Sequence, residues 1–423
     1  MAANDYSTAG PIAKKVYGTI RDLRPTMAKA PLQNQISFDR GNKLGDVFSE
    51  TLHLADEAGI TYGGSSSDLF NLNDAVPATS VEVSASGSEI VIRAQVTMKR
   101  LTATMAKGEA AFESFWGRML KNNKNALGKR VDISLMYGGD DIGVVSGSPS
   151  GSSGARTITL TAASWLPLAF LGAKNAKIDV YSSGGTLRNT TTDITITAVT
   201  PSKTAPTIAV SGLEAELATI VDTDEIFFKG AYGNECTGMT VIAGLTGSET
   251  YLGLAANSYP DLWSGNPTAV GGNFSFPALQ DAIMESQARG GGFPMYKFYC
   301  AHATWTTLSS DMTALRAIDS SYKTEVTEFG QRRLRFYCGN AEVAIEPTLN
   351  MKQGEALLIP TSQDADIRRI GTADVNFEVP GMGESYYHIL NDNHGVEARG
   401  YSDQFPWSTC INSMVHFTGI THS

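Results

Sequence analysis

The residues able to do chemistry are few, and their spacing assembles none of the usual reaction centres. Six histidines, His53, His302, His388, His394, His416 and His422, include one close pair, His388 and His394, whose separation places no two ligands on one helix face. Four cysteines, Cys236, Cys300, Cys338 and Cys410, lie far apart, with no CxxC pair and no histidine at ligand spacing. They read as buried thiols in a reducing compartment. Asp140-Asp141 and Asp364-Ala-Asp366 are carboxylate-rich but read as solvated turns. Gly290-Gly-Gly292 could cradle an anion if it opened a helix; it follows one, and a C-cap explains it better. A nucleophile elbow, a Walker A loop, a dinucleotide fingerprint and an H-E-x-x-H pair are all absent. The expectation is a non-enzyme with no catalytic residue, no metal site and no cofactor.

Two basic clusters, Arg332-Arg333-Leu334-Arg335 and Arg368-Arg369, come with Phe329, Phe336 and Tyr337 nearby, a mixture that raises nucleic-acid binding. A strand with a charged outward face is the simpler account. The net charge of -10 supplies no sequence-wide basic field to attract DNA or an anionic membrane. Met1 to Lys15 has no apolar core of signal-peptide length, and no run approaches the ~18 apolar residues of a membrane span. Synthesis in the cytoplasm, away from any membrane, is expected.

The elements that would position these residues follow from periodicity. At 423 residues the chain is long enough for two or three domains, and its 18% charged residues suit a mixed or β-rich protein better than a bundle. The first stretch, punctuated by Pro11, Pro25 and Pro31 among scattered basic residues, shows no sustained apolar period. It is either a disordered tail or an extended arm ordered by neighbouring chains. Leu44, Val47, Phe48, Leu52, Leu54 and Ala55 predict a short amphipathic helix ended by Gly59. Val81 and Val83, then Ile90, Ile92 and Val96, predict two strands joined by a loose turn around Gly87. Such a hairpin exposes edges that another chain must cover.

The strongest periodic signal runs from Glu109 to Met136. Phe112, Phe115, Trp116, Met119, Leu120, Leu127, Val131 and Leu135 recur at threes and fours, while Lys121, Lys124, Lys129, Arg130 and Asp132 fill the other side. A long amphipathic helix closed by Gly138 and Gly139 is predicted, with Gly117 and Gly128 weakening its continuity. Gly147 to Gly154 is of low complexity and reads as a flexible joint. Beyond it, Thr157 to Thr161, Lys177 to Tyr181, Asp193 to Val199, Thr207 to Val210 and Glu225 to Phe228 predict a small all-β module inserted over 147–231. Ser275 is the expected N-cap of a helix stopped by Gly290, followed by a strand at Tyr296 to Ala301 and a helix at Thr304 to Ile318. Strands at Arg333 to Tyr337, Glu342 to Ile345, Ala356 to Ile359 and Val375 to Val379 complete an α+β block. The strand-like tail, Ser385 to Thr421, is expected to pair with an earlier sheet.

This order of pieces resembles the major capsid proteins of tailed bacteriophages. The likeness rests on Lys43-Leu-Gly-Asp-Val-Phe-Ser-Glu-Thr-Leu52, Phe227-Phe-Lys-Gly-Ala-Tyr-Gly-Asn-Glu235, Tyr259-Pro-Asp-Leu-Trp263, Arg369-Ile-Gly-Thr-Ala-Asp-Val375 and Gly400-Tyr-Ser-Asp-Gln404, spread from about residue 40 onward. The resemblance implies an α+β capsid fold with an N-terminal arm (1–55), an extended hairpin loop (56–105) and a peripheral domain on the spine helix (106–146). It further implies the inserted β domain (147–231), connecting strands (232–269), an axial domain (270–385) and returning C-terminal strands (386–423). Phe112, Trp116, Met119, Leu127, Val131 and Leu135 would form the spine, and Val81, Val83, Ile90 and Ile92 the extended loop.

The function implied is self-assembly into pentamers and hexamers of an icosahedral head around double-stranded DNA, held by non-specific enclosure, in a virion. Scaffolding, portal and decoration proteins are possible further partners. Two other readings stay open: a nanocompartment shell enclosing enzymes, and a β-rich phage surface or fibre protein.

Overall fold

A computed structural model describes residues 31–40, 47–63, 70–99, 115–290, 292–316, 324–326, 332–377, 388–389 and 394–422. The long helix runs from Phe115 to Tyr137, about 35 Å at ~1.5 Å per residue, straight through Gly117 and Gly128. Phe112 lies outside the described residues. Gly139, at φ +82°, turns the chain out of the helix as the Gly-Gly pair predicts.

Three sheets surround this spine. The first centres on Gly395–Trp407, which pairs antiparallel with Ser88–Thr97, Arg368–Asn376 and His388–Ile389. Phe38–Asp39 adds a parallel edge to Arg368–Asn376. The second has seven strands, in the order Gly143–Val144, Glu225–Phe228, Lys177–Tyr181, Ile194–Thr200, Thr207–Ser211, Ala155–Thr159, Ser150–Ser152. All its pairings are antiparallel, so the Thr- and Val-rich region folds as a β module between the spine helix and the Met239–Gly244 helix.

The third sheet, also seven-stranded, is mixed: Asn266–Gly272 lies parallel to Val415–Ile420, and Met295–Cys300 parallel to Ala341–Pro347. Helices Phe276–Ala288 and His302–Arg316 accompany it. Leu279, Ile283 and Leu308 pack with Tyr296, Phe298, Val343 and Phe417 in a core of their own. A larger core joins spine residues Leu127, Val131 and Leu135 to the β module through Val145, Leu160, Phe170 and Ile226.

Four sequence expectations are corrected. Residues Phe48–Ala55 form a strand, not a helix, paired with Thr79–Ala85. Phe48 and Leu52 satisfy a helical spacing and an alternating one equally well, and the facing strand decides between them. The strands through Val81–Val83 and Ile90–Ile92 exist but do not pair with each other. Thr79–Ala85 turns back to Phe48–Ala55, while Ser88–Thr97 joins Gly395–Trp407. A projecting ribbon is therefore present, built from a different pair of strands. The Gly147–Gly154 joint contains the strand Ser150–Ser152, hairpinned onto Ala155–Thr159. Glycine and serine there fit a tight turn, with Gly151 and Gly154 both at positive φ. Finally, the strand expected at Val375–Val379 begins earlier, at Arg368.

The spine leaves its helix through a close crossing of two backbones. Gly238 N–H donates to Gly138 O at 2.7 Å, and a Cβ on Gly138 would sit 2.1 Å from the Cys236 carbonyl oxygen. Gly138→Ala should therefore destabilise the subunit by about 1–3 kcal/mol or more. A lower urea midpoint at unchanged m-value is the expected result, and an unaltered midpoint would show that the crossing can widen.

Candidate assembly surfaces

The start of the described chain is tied to the spine by one carboxylate. The short helix Pro31–Gln35 ends its free N–H groups on Asp132: Leu32 and Gln33 donate to Oδ1, each at 3.0 Å. Asn350 Nδ2 donates to Asp132 Oδ2 at 2.7 Å and to its carbonyl at 2.8 Å. Asp132 is fully buried, and that burial, outweighing the hydrogen bonds and Arg369, pushes its pKa up to about 7. Farther on, Tyr299 OH donates to Gln35 Oε1 at 2.6 Å, while Gln35 Nε2 donates to Glu346 at 2.8 Å. Arg369 then closes the seam: Nε donates to Ile36 O at 3.0 Å, and Nη1 to Asp374 at 3.0 Å and Gln404 at 2.7 Å.

The solvated faces predicted for Asp132 and Arg369 are corrected: both are buried, and Arg130 is half-buried with its Nη1 enclosed, whereas Lys121 and Lys124 are exposed as the helical pattern predicts. Over its C-terminal part the spine helix is flanked by the short helix Pro31–Gln35, the first sheet and the β module, so polar residues there are covered as well. Asp140-Asp141 is likewise no solvated turn. Lys352, 2% exposed, donates from Nζ to Asp140 Oδ2 at 2.9 Å and Asp141 Oδ2 at 3.3 Å, with Glu355 at 3.7 Å. Burial opposes this ammonium charge, but Glu355, Asp141 and Asp140 together hold it well above the usual lysine range. His416 Nε2 lies 3.1 Å from Glu355, and the Lys352 N–H donates to Tyr137 OH at 2.9 Å. The cluster joins the end of the spine to the third sheet. No sequence pattern marks Lys352, which lies far along the chain from the aspartates it meets.

The expected spine residues Met119, Leu127, Val131 and Leu135 are buried within the subunit. Trp116 falls in the helix, but its side chain is outside the described set. Val83 is fully buried at the ribbon base, Val81 partly so, and Ile90 and Ile92 pack partly buried against the main core. Cys236, Cys300 and Cys338 are buried free thiols, and Cys410 is partly exposed. Burial pushes Cys236 up to about 12, consistent with an inert core thiol. Among the described residues no group of three or more His, Cys, Asp and Glu could hold a metal. No described helix is long and apolar enough to cross a membrane.

The ribbon Phe48–Ala55/Thr79–Ala85 is rooted by Phe48, edge-on to Phe405 at 5.8 Å, and by Ser84 N–H donating to Leu252 O at 2.9 Å. At its far end every described residue from 55 to 80 except Thr61 is exposed. Tyr62 is 90% exposed, Leu72 79% and Ile60 64%. The tip is held by its own bonds: Asn73 donates from its N–H to Thr61 Oγ1 at 2.8 Å and from Nδ2 to Ile60 O at 2.9 Å. Near the ribbon base, Arg130 stacks 3.0 Å over the Phe228 ring, and its buried Nη1 has no hydrogen-bond partner among the described residues. Burial pulls Arg130 down to about 9, though Glu235 acts in the opposite direction.

The Asp132 anchor carries a pH signature. A carboxyl whose folded pKa is raised contributes stability fully present below its unfolded value of 3.8 and lost as pH rises through about 7. Urea midpoints of the native chain minus those of Asp132→Asn should therefore fall between these pH values and level off above. A flat difference would mean that the carboxylate is solvated.

No protein-family model matches the sequence, and no curated protein matches it. Similar solved structures do exist. The capsid asymmetric unit of cyanophage A-1(L) is 10% identical, with 99% of each chain covered and a TM-score of 0.53. The holo-SrpI encapsulin complex from Synechococcus elongatus PCC 7942 is 8% identical over 100% of this chain and 99% of that one, at a TM-score of 0.49. The capsid of cyanophage P-SCSP1u is 8% identical over 97% and 92%, at 0.48. With nearly the whole chain covered at a TM-score of 0.53 on the first of these, the chain has the fold of a phage capsid subunit.

Proposed function

We propose that the chain is the major capsid protein of a tailed phage, a structural subunit that closes with copies of itself into an icosahedral shell around double-stranded DNA. The observation that carries this reading is the ribbon, which leaves Ile60, Tyr62 and Leu72 in water on a fold shared with a phage capsid subunit. Several large apolar side chains exposed on one projecting element mark an interaction site. A ribbon with uncovered edges is also a hazard that a symmetric assembly removes.

In this proposal the spine with the first sheet forms the peripheral part, the third sheet with its two helices the axial part, and the β module an accessory outgrowth. The acidic balance, -10 overall, suits a container that must hold DNA without gripping phosphates. Scaffolding, portal and decoration proteins are the partners such a shell would take, and the virion its location.

Negative-stain microscopy of the concentrated full chain should show closed, uniform shells. A monodisperse monomer at high concentration would refute the proposal, and shells filled with a cargo enzyme and no DNA would favour a nanocompartment. Deleting residues 1–30 keeps Leu32 and Gln33 on Asp132, so the subunit should fold while failing to close shells. Deletion through residue 40 would also strip the buried Asp132 of those partners and confound folding with assembly. Intact shells from the shorter deletion would remove the arm from the mechanism.

A further inference from the structure

A cleft of about 520 Å³ opens between the spine helix, the strand Ser88–Thr97 and the turn that follows Glu225–Phe228. That volume is in the range of small-molecule sites. Ile90, Ile92, Leu127 and Phe228 give it apolar walls, and Arg130, Lys177 and Lys229 are its basic residues. The two lysines already share Asp193 as a partner. Arg130 has no such arrangement. Among the described residues it touches the Phe228 ring and has neither a hydrogen bond nor an ion pair, and Glu235 acts on it only through space. Its side chain lines the cleft and is partly open to it, although Nη1 is shut off from solvent.

A guanidinium largely removed from water and left without an acceptor is destabilising. The group that best satisfies its planar fork of donors is a carboxylate, which two N–H groups grip side by side. With both lysines held by Asp193, one cation is left for a ligand, enough for a monoanion and too few for a polyphosphate. Glu89, exposed on the rim, and Glu235 would repel a polyanion further. The apolar walls beside that single charge call for an apolar body on the same ligand.

We propose that the cleft binds an amphiphilic monocarboxylate of the medium-chain fatty acid type, its carboxylate bonded to the Arg130 guanidinium and its apolar body laid against Ile90, Leu127 and Phe228. This goes beyond the shell reading and does not depend on it. The Phe228 ring under the guanidinium orients the fork. Selection then acts at both ends of the ligand: a short acid loses the walls, and an alcohol or an amine loses the fork.

Equilibrium dialysis of the full chain against radiolabelled octanoate tests the site. One octanoate per chain is expected, with unlabelled acetate, 1-octanol and octylammonium each competing at least about tenfold more weakly than unlabelled octanoate, the scale of one lost charge-assisted bond or of a lost apolar body. Arg130→Gln should weaken octanoate about tenfold, and Arg130→Lys, which keeps the charge without the fork, should restore part of that loss. Lys177→Gln with Lys229→Gln should leave octanoate binding unchanged. Equal competition by 1-octanol and octanoate would show that the carboxylate is not recognised and would overturn the proposal, and this arm needs no variant to fold. Loss of binding in the double lysine variant but not in Arg130→Gln would overturn the assignment to Arg130. No retained octanoate would overturn the site outright.

Discussion

A helix can be enclosed on nearly all sides only if every ionisable group along it meets a partner inside the protein, and this constraint organises the subunit. Along the enclosed part of the spine, Asp132 is met by the arm and Asn350, and Lys129 by the Leu171 carbonyl at 2.8 Å. Tyr137 is met by Met351 and the Lys352 backbone, and the Asp140-Asp141 exit by the Lys352 ammonium. Each partner comes from a different part of the chain, so satisfying the helix also fixes the arm, the β module and the third sheet around it. Removing one member of such a set strands the other as a buried charge, which is why these contacts specify the arrangement more than they add to its stability. Among the described residues Arg130 Nη1 is left without such a partner.

What the helix does inside the subunit, the ribbon does outside it. Its base is pinned by Phe48 and Val83 in the core, while the described residues toward its tip are almost all exposed. Many modest contacts of this kind, repeated by symmetry, suffice to close a container without any single strong one.

How much of this the sequence disclosed depended on whether a signal was local. Lys177–Tyr181 alternates in sequence and Glu225–Phe228 is a short apolar run, and both appear as strands with the expected bounds. The spine and its glycine stop were equally legible. Phe48–Ala55 was not, because its apolar spacing fits two periods and its pairing partner, Thr79–Ala85, lies more than twenty residues on. The partners of Asp132, Arg369 and Lys352 lie farther still, and a charged residue on a helix or strand looks solvated until its distant acceptor is in place. Arg130 carried no mark at all: only the enclosure of its Nη1 beside Phe228, with no acceptor among the described residues, distinguishes it from the lysines on the same helix.

The strand order has a consequence in time. Gly395–Trp407 is the centre of the first sheet, and Val415–Ile420 lies inside the third, between Asn266–Gly272 and Ala356–Pro360. Neither sheet can close until these late segments have emerged from the ribosome, whereas the ribbon strands emerge early. Pairings so distant along the chain form slowly. For most of its synthesis the nascent polypeptide thus carries a sticky protrusion but no finished surface to receive one. Premature clumping on a polysome is held back by the same topology that later makes the completed subunit competent to join its neighbours.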